Sequence, residues 1–354
     1  MYKKFFMAIA AMAALTLVSC SSEDLNSLSD NSSKGGAISF DGYLGRSAVS
    51  VNGSRGSVID KAENLQKFGV FGNYKVADGE EFGSNWFNNV PVTYSSKDAK
   101  WKYSPVQYWL PQGHIDFLAY APYAAETTLK ADETTSKNTC IDFTVAGEVA
   151  NQKDLLWANA KDQTKANASG PDKKVKFTFN HALSRLGYTV KLKEKYTGAT
   201  IKLTKIILAG SPNGSEGAFY TKGTIDLSKT SPSTDLWTPS TDAKQKFDWF
   251  TGTQNLTTDA SDSKNPEANY LFVIPQKFSA ATDKLYVIVE YTIEGYNNVT
   301  TPITNTVSQQ LKENFEQGKA YTINLTIGLT PIEFDADVTV WKPADGTINI
   351  ESWD

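Results

Sequence analysis

The side chains that could perform nucleophilic or metal chemistry are few in this chain. Its 354 residues include two histidines, His114 and His181, and two cysteines, Cys20 and Cys140. A zinc site takes several Cys and His ligands, and a thiol nucleophile needs a histidine beside it. Glycine-rich phosphate loops, G-x-S-x-G elbows and H-E-x-x-H motifs do not occur either. We therefore predict no catalytic residues, no metal site, no cofactor and no enzymatic activity.

The remaining polar candidates have simpler structural interpretations. His181 and Ser184 lie within the run Phe179–Leu186, half of it apolar, which favours a structural histidine whose ring bonds to the backbone. Asp116 and Asp154 could each supply half of a glycosidase pair, which needs two carboxyl groups about 5–9.5 Å apart. Because the chain has 39 acidic residues, some proximity is expected by chance, and this alternative is the weaker one.

Composition and charge narrow the class of protein further. The chain carries a formal net charge of −4 and has no basic run, whereas nucleic-acid binding needs a cationic surface. Hydrophobic residues make up 40% and charged residues 21%, as in an ordinary folded protein. The length is enough for about two domains.

The N-terminus has the pattern of an export signal. Lys3 and Lys4 precede the apolar stretch Phe5–Val18, which is too short to span a membrane but long enough for a secretory signal. Residues 17–20, Leu-Val-Ser-Cys, resemble a bacterial lipobox, so we predict a signal peptide over residues 1–19 and lipid on Cys20. Residues 20–36 are read as a flexible tether, and the lipid places the protein at the outer membrane. An ordinary cleavage site near Cys20 is the alternative.

A lipid on Cys20 would leave Cys140 without a disulfide partner. Since Cys140 stands beside apolar residues in Ile141–Val145, we predict a small core residue and not a nucleophile.

The body of the chain is predicted to be all-β. Short runs in which β-branched and aromatic residues alternate with polar ones are typical of antiparallel sandwiches. These runs are Phe68–Phe71, Val90–Tyr94, Ile115–Tyr120, Ile141–Val145, Val175–Phe179, Tyr188–Leu192, Thr200–Leu208, Gly217–Thr221, Gly223–Leu227, Tyr270–Ile274, Leu285–Tyr291 and Tyr321–Ile327. We place one domain over residues 37–175 and a second over residues 176–354, with a join in Ala160–Lys174.

Two segments depart from the strand pattern. Leu311 and Phe315 stand four apart with Gly318 behind them, which predicts a short helix over Val307–Phe315. The segment Ser228–Ser263, rich in Thr, Ser, Asp and Pro, is predicted to be a decorated loop.

Several motifs together resemble the Bacteroidales fimbrillins, the subunits of donor-strand pili. They are Phe87–Tyr94, Trp101–Pro105, Tyr108–Pro111, Ile115–Tyr123, Lys153–Ala158 and Phe177–Leu186. The resemblance extends from about residue 38 to Asp354, more loosely in the second half.

The resemblance implies two tandem transthyretin-like β-sandwiches and assembly with other fimbrial subunits into a cell-surface fimbria. It also implies export as a lipoprotein, proteolytic removal of an N-terminal strand, and completion of the opened groove by another subunit. Host or bacterial surface ligands would be further partners, and no catalytic residue is implied.

The C-terminus offers a candidate donor strand for such assembly. Apolar residues recur at every second position, which places them on one face of an extended strand. They are Ile332, Phe334, Ala336, Val338 and Val340, followed beyond a turn by Ile348 and Ile350. These residues could equally form terminal strands of the chain's own second domain, or the two pieces could divide the roles.

At the other end of the chain, Ala37–Tyr43 is a candidate removable strand with Ile38 and Phe40 on one face. Arg46 and Arg55 follow in Gly- and Ser-rich sequence, the context in which trypsin-like proteases cut. The resemblance implies cleavage after an arginine here, and Arg46, which directly follows the strand, is preferred.

Two alternatives remain open from the sequence. A surface glycan-binding lipoprotein would stack sugars on tryptophans such as Trp101 and Trp109, although core packing accounts for these residues, and for Trp86 and Trp157, more simply. Within the pilin class, stalk, anchor and tip subunits are not distinguished.

Overall fold

The computed structural model describes residues 36–44, 62–75, 85–168, 174–241, 244–260, 270–278, 283–296, 300–328 and 333–340. Over these residues the protein is almost entirely β, which confirms the predicted fold class. The helical elements are one α-helix, α1 (Ala62–Leu65), and a 3-10 turn at Val149–Asn151. No helix in these ranges is long and apolar enough to cross a membrane.

The strands are β1 (Phe40–Leu44), β2 (Lys67–Lys75), β3 (Asn85–Ser95), β4 (Lys100–Lys102), β5 (His114–Ala121), β6 (Lys130–Ala131), β7 (Asn138–Thr144), β8 (Leu156–Gln163), β9 (Val175–His181), β10 (Ser184–Leu192), β11 (Thr200–Ala209), β12 (Phe219–Tyr220), β13 (Lys222–Asp226), β14 (Trp237–Pro239), β15 (Lys244–Gln245), β16 (Phe247–Asn255), β17 (Leu271–Val273), β18 (Gln276–Lys277), β19 (Leu285–Glu294), β20 (Ile303–Leu311), β21 (Asn314–Phe315), β22 (Lys319–Ile327) and β23 (Glu333–Val340). Every run predicted from alternation overlaps one of them.

Seven strands form the largest sheet, in the order β1-β9-β8-β5-β2-β3-β4. Its pairings are antiparallel except for β1 with β9, which is parallel. One face of this sheet covers a core rich in aromatic side chains, among them Phe68, Phe87, Phe117 and Phe177. We call this cluster the first core.

The central strands of this sheet are buried on both faces. On β5, Phe117 belongs to the first core, whereas its neighbours Leu118 and Tyr120 belong to a second, larger core. The same alternation assigns Leu156 of β8 to the first core and Trp157 to the second. Because successive side chains point to opposite faces, an unbroken apolar run is required here.

The second core is formed mainly by the later part of the chain. It lies between the sheets β17-β10-β22-β23 and β16-β11-β19-β20. Alternating residues of β19, such as Val287, Val289 and Tyr291, are buried in it, as the period of two predicts for a half-exposed strand.

Strand pairing also runs across the predicted domain border. β9 begins at Val175 and continues the first sheet as far as His181, and β7 pairs with β13 over five residues. The division between residues 175 and 176 therefore stays a prediction. The chain changes sheets a little further on, where β9 ends at His181 and β10 begins at Ser184.

Two local predictions are wrong. The predicted helix Val307–Phe315 is instead the end of β20 together with β21. The spacing of Leu311 and Phe315 also fits two short strands, and nine residue pairs between β19 and β20 outweigh the local pattern. The segment Ser228–Ser263 is not only a loop, because it contains β14, β15 and the nine-residue β16, which pairs with β11.

Candidate functional site

Residues 36–44, which contain β1 and which we call the leading strand, pair with main chain on both sides. β1 pairs in parallel with β9 over five residues, and the Val175 amide donates to the Ser39 carbonyl at 2.8 Å. On its other side, the Ile38 amide donates to Gln107 O at 2.8 Å, and the Trp109 amide donates to Gly36 O at 3.0 Å. The segment from residue 36 to residue 44 thus supplies main-chain partners to two neighbours at once.

The side chains of this segment fill an aromatic trough in the first core. The ring centroid of Phe40 lies 5.5 Å from that of Phe87, 5.3 Å from those of Tyr103 and Phe117, and 5.7 Å from that of Phe177. We call Phe87, Tyr103, Phe117 and Phe177 the leading-strand trough. Ile38 and Phe40 are 1% and 3% exposed, so removing the strand would open this trough to solvent.

Tyr103 fixes the entry of the leading strand into the trough. Its hydroxyl donates to Ile38 O at 2.7 Å and accepts from the Gln107 amide at 3.2 Å. Burial raises the pKa of Tyr103 to about 12, because a phenolate would lose its hydration there. The phenol therefore stays a hydrogen-bond donor to the strand at physiological pH.

The strand is held by packing as well as by its hydrogen bonds. Burying Ile38 and Phe40 is worth about 3–6 kcal/mol, at roughly 1.5–3 kcal/mol for each large apolar side chain. A segment held this way remains in place while it is covalently attached.

The predicted removable-strand residues Ile38 and Phe40 are brought together by the structure. The predicted cleavage residues Arg46 and Arg55 lie outside the described residues, as do Cys20, Ile332, Ile348 and Ile350. Their roles stay predictions. Tyr103 and Gln107 were missed, although the motif Trp101–Pro105 marks their neighbourhood.

The first C-terminal candidate is paired within the chain. β23 runs antiparallel to β22 as an edge strand, with Phe334 opposite Leu325, Ala336 opposite Ile323, and Val338 opposite Tyr321. Val340 follows in the same register. This pairing is what the alternative of an ordinary terminal strand predicts.

The polar candidates are bound to separate partners. His181 Nδ1 lies 2.9 Å from Asp154 Oδ2, and both residues are buried. One ring nitrogen of His181 thus contacts a carboxylate that the sequence did not point to, because a buried Asp154 needs a partner of its own. Asp116 instead lies 3.3 Å from Lys75 Nζ. Neither carboxylate has the arrangement of a free general acid.

Cys140 is buried, as predicted for a core residue. Burial and the nearby Asp226 raise the pKa of its thiol to about 11. One oxygen each of Asp132 and Asp226 and the Cys140 sulfur lie within 4.8 Å of one another. The raised pKa opposes the thiolate that metal binding would need.

The tryptophans proposed above as a sugar platform are buried or pack against other aromatic rings. Trp109 and Trp157 are 4% and 1% exposed. The Trp101 ring centroid lies 4.8 Å from that of Phe68 and 5.1 Å from that of Tyr94. A sugar-stacking platform that uses Trp109 is therefore not available on this surface.

The fold and the leading strand define a class of all-β protein in which an N-terminal segment pairs with the first sheet and covers its aromatic core. The profile of the family described as fimbrillin-like matches residues 55–341 of this chain. The chain belongs to the fimbrillin-like family.

Two relatives extend the comparison over nearly the whole chain. The chain is 24% identical to the fimbrium subunit Fim1C of Phocaeicola vulgatus over 97% of this chain and 98% of that protein. The crystal structure of a fimbrial protein from Bacteroides vulgatus has a TM-score of 0.62 at 21% identity, covering 86% of this chain and 99% of that one. That likeness shows a shared fold.

Substituting Phe40 tests the trough. Phe40→Ala is expected to lower the free energy of unfolding by about 3–5 kcal/mol, the usual range for a buried phenylalanine. Phe40→Leu should lower the free energy of unfolding by less. Tyr108→Ala, at a side chain that is 44% exposed, should change it little. Urea titrations followed by fluorescence measure all three. Equal losses for Phe40→Ala and Tyr108→Ala would contradict the packing role.

The ionisation of Tyr103 reports whether the trough is covered. In the intact chain its phenol should titrate near pH 12. After residues 36–44 are removed, it should titrate closer to 10, the value of an exposed tyrosine. NMR of ring-labelled tyrosine, assigned with Tyr103→Phe, measures this. Tyr188, whose pKa burial in the second core raises to about 12, is the internal control and should not move.

Proposed function

We propose that this chain is a structural subunit of a cell-surface fimbria that polymerises by strand exchange. The observation that carries the proposal is the leading strand, whose Phe40 fills an aromatic trough beside a sheet edge that no other strand of the described residues pairs. Membership of the fimbrillin-like family and the fimbrial names of both relatives support the same role.

The proposed sequence of events begins at the membrane. Lipid on Cys20 holds the exported chain at the outer membrane, and a protease then cuts after Arg46, two residues beyond the end of β1 at Leu44. Release of the leading strand leaves unpaired main-chain groups on β9 beside an apolar trough, an edge that accepts another strand. Another fimbrial subunit supplies that strand.

The two C-terminal pieces divide the roles in this proposal. β23 is engaged with β22 in the chain's own sheet, so releasing it would cost eight residue pairs. The piece beyond it, with Ile348 and Ile350 two residues apart, is the one we assign as donor. A donor of this kind joins subunits through main-chain hydrogen bonds and buried side chains together.

Truncation tests the donor assignment. Ending the chain at Val340 should leave a folded monomer that does not polymerise, because β23 stays paired with β22. Ile348→Asp with Ile350→Asp should act likewise, whereas Asn349→Asp in the same segment should polymerise normally. Negative-stain microscopy of purified fractions reads out the result. Filaments of normal length from the truncated chain would rule out a donor beyond Val340.

Cleavage is tested separately on cells. The mature chain should begin at Ser47. Arg46→Ala should leave the leading strand attached and abolish polymerisation. Arg46→Lys should still be cleaved in part if the protease accepts lysine as well as arginine. N-terminal sequencing reports the start. A start at Gly56 would move the site to Arg55. A chain that keeps acylated Cys20 in mature filaments would indicate an anchor subunit and contradict the proposed cleavage.

A further inference from the structure

The edge strand β20 has an open side in the described part of the chain. It ends the sheet β16-β11-β19-β20 and pairs with β19 over nine residues without a register shift. Its other side therefore presents a straight row of main-chain donors and acceptors. Such a row is a template for another strand.

β20 lacks the features that usually protect an edge. Charged residues, prolines and bulges blunt edge strands, and none occurs within Ile303–Leu311. The other described edge strands of five or more residues all carry acids: Asp41 on β1, Asp248 on β16, and three acidic residues on β23. β16 also has two register shifts.

The sequence of β20 is complementary to itself when reversed. With two copies antiparallel and centred on Val307, every pair matches in chemical type: Ile303 with Leu311, Thr304 with Gln310, Asn305 with Gln309, Thr306 with Ser308, and Val307 with its copy. Residues directly opposite in an antiparallel pair lie on one face, so apolar residues meet apolar ones at both ends and at the centre.

The exposure of individual side chains fits an uncompleted edge. Ile303 is 42% exposed, whereas Leu311 at the other end is buried. In the antiparallel arrangement, each Ile303 would lie opposite the partner's Leu311 and be partly covered. The outward-facing positions are hydroxyls and amides that pair with one another.

We infer that β20 is a self-recognition edge, on which a second copy of this chain docks its own β20 in antiparallel fashion. The occupant is a copy because the strand is its own complement and carries no charge, although the chain is acidic overall. Pairing through β1 or β23 would instead bring like charges near one another. The contact is isologous, with a twofold axis at Val307, and joins two four-stranded sheets into one.

This contact is weak for a single pair, since a two-stranded contact alone is marginally stable in water. Where the chain is a fimbrial subunit, as proposed above, many such contacts between two filaments lying side by side would together give a stable association through avidity. The pairing itself is a property of the isolated subunit and is tested without polymerisation.

Directed cross-linking tests the register. On a chain that begins after the signal peptide, with Cys20→Ser, the buried Cys140 is the remaining native thiol. An equimolar mixture of Thr306→Cys and Ser308→Cys chains should form disulfide dimers at least ten times faster than either chain alone. In the mixture the two cysteines are directly opposite, with Cα atoms about 4.5–5.5 Å apart, which is within disulfide reach. In either chain alone the two cysteines are diagonal neighbours, about 7–8 Å apart.

The matched control uses the other edge of the same sheet. A mixture of Thr251→Cys and Thr253→Cys, two exposed positions on β16, should cross-link no faster than its components. Sedimentation equilibrium gives a second readout. The double variant Thr306→Lys with Ser308→Lys should self-associate at least tenfold more weakly. Mixing it with a second chain that carries Thr306→Glu and Ser308→Glu should restore association. Circular dichroism confirms that the charged chains fold.

Three results would overturn the inference. The first is equal cross-linking rates for the β20 and β16 mixtures. The second is self-association that the lysine substitutions leave unchanged. The third is a monomer in which every β20 amide exchanges as slowly as those of β19, which would mean that another part of the chain covers this edge.

Discussion

The structure depends on main-chain pairing along β9. A strand at the end of a sheet leaves half of its amides and carbonyls without protein partners, and an apolar core beside it cannot stay open to water. The leading segment satisfies both needs at once, because it pairs with Val175–Phe179 and inserts Phe40 among four aromatic rings. Whatever replaces this segment must satisfy the same two conditions.

The rest of the architecture keeps that edge in place. β5 and β8 contribute side chains to both cores, so the sheet that carries the trough is packed on two faces. Between β9 and β10, the chain passes to another sheet within a few residues. There the Trp237 indole donates to Ala182 O at 2.7 Å, and the Gln317 amide donates to His181 O at 2.7 Å. Two side chains from later parts of the chain therefore hold this connection by hydrogen bonds.

Alternation along the chain predicted many of the strands, because a half-buried strand imposes a period of two on its own residues, but it marked neither β8 nor β16. It also identified Ile38 and Phe40 as one face of a strand. It failed at Val307–Phe315, where the spacing of Leu311 and Phe315 fits a helix and only the partner β19 decides in favour of strands. The Asp154 partner of His181 lies 27 residues away, and no local pattern marks such a contact. Parallel pairing of β1 with β9, across more than a hundred residues, was likewise outside the reach of sequence.

The most direct measurement is hydrogen exchange at the β9 amides in a chain cut once after Arg46. The account predicts that these amides exchange slowly in the intact chain and quickly once residues up to Arg46 are released. They should become slow again when a synthetic peptide of residues 341–354 is added, but not when that peptide carries Asp at positions 348 and 350. Amides of β9 that stay slow after the leading strand has left would contradict the central claim.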